Sequence, residues 1–269
     1  MNSNNNSRIG NRRKGEKDRG KKKNYNNIEE MGNYIKEIIL NVFFPRTCPV
    51  CGQVLGEKGR KICTGCAQKL VYIKNPRCTK CGKTLHNFRE EYCKDCKKHA
   101  HYFNQGRAVW VFNKELRESI YRFKYDNKRE YADFYIEEMV EKYGEWIKGL
   151  GVQAIVPVPL HKKKQKARGF NQAEVLACGL GKALNIPVET NLVCRQKNTI
   201  AQKELNSKER QKNLKNAFKI VQNDVQLRKV LLVDDIYTTG STMDAMAAVL
   251  KDSGVREVYS ICLGTGGID

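Results

Sequence analysis

The sequence predicts an α/β domain, a parallel sheet with helices on both faces, preceded by a small cysteine-rich module. Three observations predict it. Residues 230–233 are a continuous apolar run, Val-Leu-Leu-Val, as expected of a strand buried on both faces of a parallel sheet. A second such run, Ala154-Ile-Val-Pro-Val-Pro-Leu160, lies upstream. Between Cys48 and Cys96 the chain carries four Cys-x-x-Cys pairs.

In the late run, Asp234 and Asp235 are expected to end the strand. Thr238-Thr-Gly-Ser-Thr242 then reads as a hydroxyl-rich turn. A helix follows, with Met243, Met246, Ala247 and Leu250 on one face and Gly254 just past its end. A strand, a tight turn and a helix N-terminus form an anion site, because backbone N–H groups converge there and the helix dipole adds partial positive charge. Gly240 admits an anion close to the backbone, and Thr238, Thr239, Ser241 and Thr242 add hydroxyl donors. Two carboxylates beside a phosphate need something between them, and a ribose supplies it: its hydroxyls donate to the acids while its 5′-phosphate sits in the turn. Receiver and phosphatase folds also place acids after a strand, but they do not need the Thr-Thr-Gly-Ser-Thr turn.

At these residues the chain resembles the type I phosphoribosyltransferases. The resemblance implies that Asp234 and Asp235 hold the ribose of phosphoribosyl pyrophosphate (PRPP) and that Thr238, Thr239, Gly240, Ser241 and Thr242 hold its 5′-phosphate.

The chain's 269 residues suit one domain with an accessory module, and 50 Lys/Arg against 29 Asp/Glu give a formal charge of +21. That charge favours polyanions: nucleotides, nucleic acid or a membrane surface. No apolar run has the length of a membrane span and no secretory leader is evident, so a cytoplasmic location is expected, with contact at the inner membrane face left open. In that compartment the eleven cysteines are not expected to form disulfides.

Residues 1–27, rich in Asn, Lys and Arg, read as a disordered basic tail. Residues 28–45 read as a short amphipathic helix, through Ile28, Met31, Ile35, Ile38 and Val42. Residues 46–100 form the cysteine module. Cys48-Pro-Val-Cys-Gly-Gln-Val-Leu55 matches Cys78-Thr-Lys-Cys-Gly-Lys-Thr-Leu85, so the true repeat is a unit of two knuckles. Four thiolates close a tetrahedral zinc shell. The repeat assigns Cys48, Cys51, Cys63 and Cys66 to one structural Zn²⁺ and Cys78, Cys81, Cys93 and Cys96 to a second. A cross-brace joining knuckles one and three is the competing arrangement. With both ions bound the formal charge falls to about +17. Single-stranded DNA is a partner this charge allows, with Tyr72, Tyr92 and Tyr102 as stacking aromatics.

Residues 101–269 are read as the α/β domain. Residues 106–112 predict a strand. Leu116, Ile120 and Phe123, then Ile136, Met139, Val140, Tyr143 and Ile147, predict two helices flanking the sheet, with Phe123-Lys-Tyr125 between them and no chemistry assigned. The run after Leu160, with His161, Lys162, Lys163, Lys164, Lys166 and Arg168, follows the carboxyl end of a strand, where parallel sheets bind ligands. It is assigned to pyrophosphate, against the alternative of a solvated face. A helix from Ala173 and a short strand around Val188 come next. Residues 193–216 then read as a long polar loop containing Arg195, Gln202 and Arg210, and in the resembling family a flexible loop at this place closes over PRPP.

An aromatic-Pro-Arg entry to the knuckles, Pro157-Val-Pro159-Leu160, Arg168-Gly-Phe-Asn-Gln172, Gln202, Arg210, Asn213, Phe218 and the Asp-Asp/Thr-Thr-Gly string occur in this order. Together they resemble the ComF family, named for DNA uptake in competent bacteria. The resemblance implies PRPP with Mg²⁺ as ligand, chemistry at Asp234, Asp235 and Arg168, and DNA-uptake proteins as partners. The rival reading is a non-catalytic, nucleic-acid-associated factor that binds PRPP only as a ligand.

Overall fold

Four parallel strands in the order β1–β6–β5–β2 form the central sheet: β1 (Gln105–Val111), β2 (Ala154–Pro157), β5 (Lys229–Tyr237) and β6 (Glu257–Thr265). A separate antiparallel pair joins β3 (Val193–Arg195) to β4 (Phe218–Ile220). This computed structural model describes residues 45–56, 59–196, 217–221 and 226–266. The basic tail, the amphipathic helix up to residue 44, and Gln202 and Arg210 lie outside the described residues. No helix among the described residues is long and apolar enough to cross a membrane.

The sheet divides two apolar layers. Residues 230–233 of β5 are fully buried, and alternate ones enter opposite layers: Leu231 and Val233 one, Val230 and Leu232 the other. Each such side chain contributes about 1.5–3 kcal/mol of burial. The first layer holds helices α3 (Lys114–Tyr125), α4 (Ala132–Leu150) and α6 (Gln172–Leu184), through Phe123, Met139 and Leu180. The second holds α7 (Ser241–Asp252), through Met243, Met246 and Leu250, together with Val193 and Phe218 of the β3–β4 pair. Asn113 caps α3 by accepting from the Leu116 N–H, and Asn171 caps α6 by accepting from the Ala173 N–H.

The cysteine module packs against the sheet rather than standing apart, and Thr47–Asp269 is one compact unit. Cys48, Val50, Cys66 and Leu70 join the core around Trp110, and Cys78, Cys81, Leu85 and Cys93 join the core around Phe103. The two short helices α1 (Thr64–Ala67) and α2 (Lys94–Lys98) each follow directly on a cysteine, Cys63 and Cys93. The module also pairs with the outer edge of β1. Ile73 N–H donates to Val109 O at 3.0 Å, Val111 N–H to Val71 O at 2.7 Å, and Gly106 N–H to Lys80 O at 2.7 Å. Edge strands need such cover. Gly82 permits the approach: its φ is +80°, and a Cβ there would stand 2.8 Å from Gly106 O.

Several expectations need correction. Asp234 and Asp235 do not end their strand; β5 continues to Tyr237, because β6 goes on pairing as far as Thr265. The following helix starts at Ser241, not at Met243. The Phe123-Lys-Tyr125 segment is the last turn of α3. Val188 makes only a single bridge to Ile155. The start of the expected polar loop is strand β3, which finds its partner beyond residue 216.

Candidate functional site

The two cysteine groups are the simplest site. In each of Cys48/Cys51/Cys63/Cys66 and Cys78/Cys81/Cys93/Cys96, all ligand atoms lie within 4.8 Å of one another. Cys51 Sγ and Cys63 Sγ are 3.9 Å apart, and Cys81 Sγ and Cys93 Sγ 3.6 Å. A tetrahedral Zn–S shell of about 2.3 Å has edges of about 3.8 Å, so both groups fit structural zinc. The grouping is sequential, not a cross-brace.

The second site gathers at the carboxyl end of β5. Asp234 and Asp235 are consecutive strand residues, so their side chains leave opposite faces of the sheet. Asp235 forms an ion pair with Lys124 of α3, the two side chains being only 12% and 18% exposed. Asp234 accepts the Asp235 N–H at 2.8 Å and is attracted to Arg195 of β3. Burial, and then the adjacent Asp235 charge, hold its carboxyl well above the usual range.

Thr238 and Thr239 are exposed in the turn that follows, and Gly240 is the N-cap of α7 with φ +76°. Thr239 Oγ1 and Ser241 Oγ share a hydrogen bond of 2.8 Å, and Asp244 N–H donates to Gly240 O at 2.8 Å. Ser241 and Thr242 belong to the first helical turn, whose leading N–H groups have no intrahelical acceptor. This is the geometry of an anion site. The glycine requirement arises from the protein itself: a Cβ at 240 would stand 2.4 Å from the Tyr237 hydroxyl and 3.2 Å from His101 Cε1. His101 also braces the turn from behind. Its side chain is 3% exposed, its Nδ1 is 2.6 Å from Asp244 Oδ2, and Tyr102 N–H donates to Asp244 Oδ1 at 2.9 Å.

The basic run is helix α5 (Lys162–Arg168), capped by His161, whose Nδ1 accepts the Lys163 N–H at 3.3 Å. It follows β2, the neighbour of β5, with Val158 N–H donating to Val233 O at 2.9 Å. Lys162, Lys163, Lys164 and Lys166 are solvent-exposed. Arg168 is not simply solvated: Nη1 donates to Gln172 Oε1 at 2.6 Å and Nη2 to the Tyr125 hydroxyl at 2.9 Å. Lys124 and Tyr125 therefore link Asp235 to Arg168. Arg195, expected in a mobile loop, lies on β3 with its guanidinium 5.3 Å from the Phe218 ring centroid.

Sequence reasoning missed Lys124, Tyr125, His101 and Asp244. The Lys-Tyr pair at the end of an amphipathic helix, and an acid four residues after the turn glycine, are the local traces they leave.

Comparison with known proteins agrees with this geometry. Residues 39–97 match the double zinc ribbon domain and residues 183–268 the phosphoribosyl transferase domain. The chain is 44% identical over 108 residues to competence protein F of Haemophilus influenzae, covering 39% of this chain and 47% of that protein. DNA utilization protein YhgH of Escherichia coli K12 is 38% identical over 109 residues, covering 40% and 48%. Competence protein ComFC of Streptococcus pneumoniae is 29% identical over 163 residues, covering 58% and 66%. The first two alignments span about half of each relative's own length. Fold and site thus define a type I phosphoribosyltransferase fold behind a double zinc ribbon. Both domains in this order, and relatives of these names, match the ComF family.

Proposed function

We propose that this protein binds PRPP with Mg²⁺ and acts as a phosphoribosyltransferase-like protein in DNA uptake, releasing pyrophosphate on transfer to an acceptor. The observation that carries the reading is the continuous β5–turn–α7 unit, which sets Asp234, Asp235 and a glycine-capped helix N-terminus at one sheet end. The names of the relatives, competence protein F and DNA utilization protein, supply the cellular context. On this reading the 238–242 turn takes the 5′-phosphate and the acids take the ribose hydroxyls. Arg168 and the α5 lysines face the departing pyrophosphate. Mg²⁺ prefers hard oxygen ligands, so carboxylates with phosphate oxygens suit it, and it would neutralise charge on the leaving group. No protein nucleophile is needed; positioning and charge carry the step.

Calorimetry with PRPP and Mg²⁺ tests the site. Asp234→Asn and Asp235→Asn each remove charge-assisted hydrogen bonds of roughly 1.5–3 kcal/mol, a loss on the order of ten- to a hundredfold per residue. Wild-type affinity in the double variant overturns the reading. Pyrophosphate release, screened against base, amine and DNA acceptors, separates turnover from binding alone.

A further inference from the structure

Helix α3 turns a stripe of Arg117, Tyr121 and Tyr125 to solvent at four-residue spacing. Tyr121 is 59% exposed and Tyr125 55%, yet their rings touch, with centroids 4.8 Å apart. Arg168 closes the line from α5: its guanidinium lies 4.8 Å from the Tyr125 ring centroid and donates to the Tyr125 hydroxyl. Its other nitrogen is held by Gln172. Tyr125 is thus held by Arg168, Tyr121 packs against it, and Arg117 stands one helical turn further along. Single exposed aromatics are ordinary, but a contacting pair with one ring anchored by a hydrogen bond and a guanidinium is a preformed π surface.

We propose that this stripe is a stacking platform for the unpaired bases of a single-stranded nucleic acid. Arg117, Arg168 and the exposed α5 lysines would lie along its phosphates. The openness of the site selects the occupant. A small molecule is normally enclosed over most of its surface, whereas more than half of each tyrosine here faces water. A strand compensates by engaging several bases and phosphates at once, and every base has a π face to offer. The formal charge of +21 is complementary to it. Tyr72, expected to stack, is otherwise engaged: its hydroxyl donates to Glu138 at 2.6 Å and its ring lies beneath Lys142. The proposal rests on the nucleic-acid part of the reading above; it shares Arg168 and the α5 lysines with the proposed pyrophosphate site, whereas Tyr121 belongs to the platform alone.

The experiment is fluorescence anisotropy of labelled oligothymidylate on the full chain. Tyr121→Ala should weaken binding about tenfold, the effect of losing one stacked base. Tyr121→Phe should stay within about twofold of wild type, since the ring is kept. A duplex of equal length should not distinguish the three proteins, because its bases are already stacked. Calorimetry with PRPP should give the same affinity for Tyr121→Ala as for wild type, so that failure of the platform and failure of the PRPP site read out separately. The platform is overturned if wild type does not bind the oligonucleotide, if Tyr121→Ala binds it as well as wild type, or if Phe loses as much as Ala.

Discussion

Lys124, in the last turn of α3, forms an ion pair with Asp235 inside β5. The helix and the strand lie far apart in sequence, and the pair gives α3 a part in the site that its periodicity does not announce. A carboxylate in so dry a position needs a counter-charge, and Lys124 supplies it before any ligand arrives.

Lys124→Met should therefore lower stability by about 1–3 kcal/mol, because Asp235 is left uncompensated. Adding Asp235→Asn should restore most of it. Denaturant unfolding of both single variants and the double variant measures the coupling directly. Additive losses would show that the two side chains do not depend on one another.

Asp234 carries a cost of another kind. Its carboxyl is held above the ordinary value of about 3.9 by burial and by Asp235, so the folded state retains a proton that the unfolded chain has released. Its contribution to stability is complete below pH 3.9 and is lost as pH rises toward the raised value. Asp234→Asn should thus raise Tm by a few degrees at neutral pH, with the advantage vanishing in acid, while PRPP binding falls. Thermal scans from pH 3.5 to 7.5 follow the difference.

Gly240→Val should damage the protein without reference to any ligand. Its φ of +76° disfavours a side chain, and the new Cβ would meet the Tyr237 hydroxyl at 2.4 Å. A loss of about 1–3 kcal/mol is expected, more than for Gly240→Ala. Combining Gly240→Ala with Tyr237→Phe should recover part of it, as unfolding curves will report.

Metal analysis of protein purified without chelator should return two zinc ions per chain. Cys178→Ala should leave that count unchanged, since Cys178 is exposed on α6 and outside both groups. Cys81→Ser should lower it to one.

What the sequence made legible was local. The apolar run, the two acids and the glycine turn are contiguous, so strand, cap and helix follow from neighbouring residues alone. The eight ligand cysteines were equally readable, because each pair has two residues between its members and the whole unit repeats. The missed features depend on tertiary neighbours. β5 runs through its acids only because β6 keeps hydrogen-bonding beside it, and β3 exists only because residues 218–220 return to pair with it. Lys124, Tyr125 and His101 reach the site from segments whose own patterns speak only of a helix face and a linker.

The hydrogen bonds between β1 and residues Val71, Ile73 and Lys80 bear on how the polypeptide can be divided. A fragment beginning near residue 101 would keep every residue of the candidate PRPP site, yet β1 would lose its outer partners. Its bare amides would then be open to any extended segment, including a second fragment. The cysteine module serves the sheet as a stand-in for a fifth strand, so a shortened protein that clumps or binds nothing reports on the missing border, not on the chemistry within.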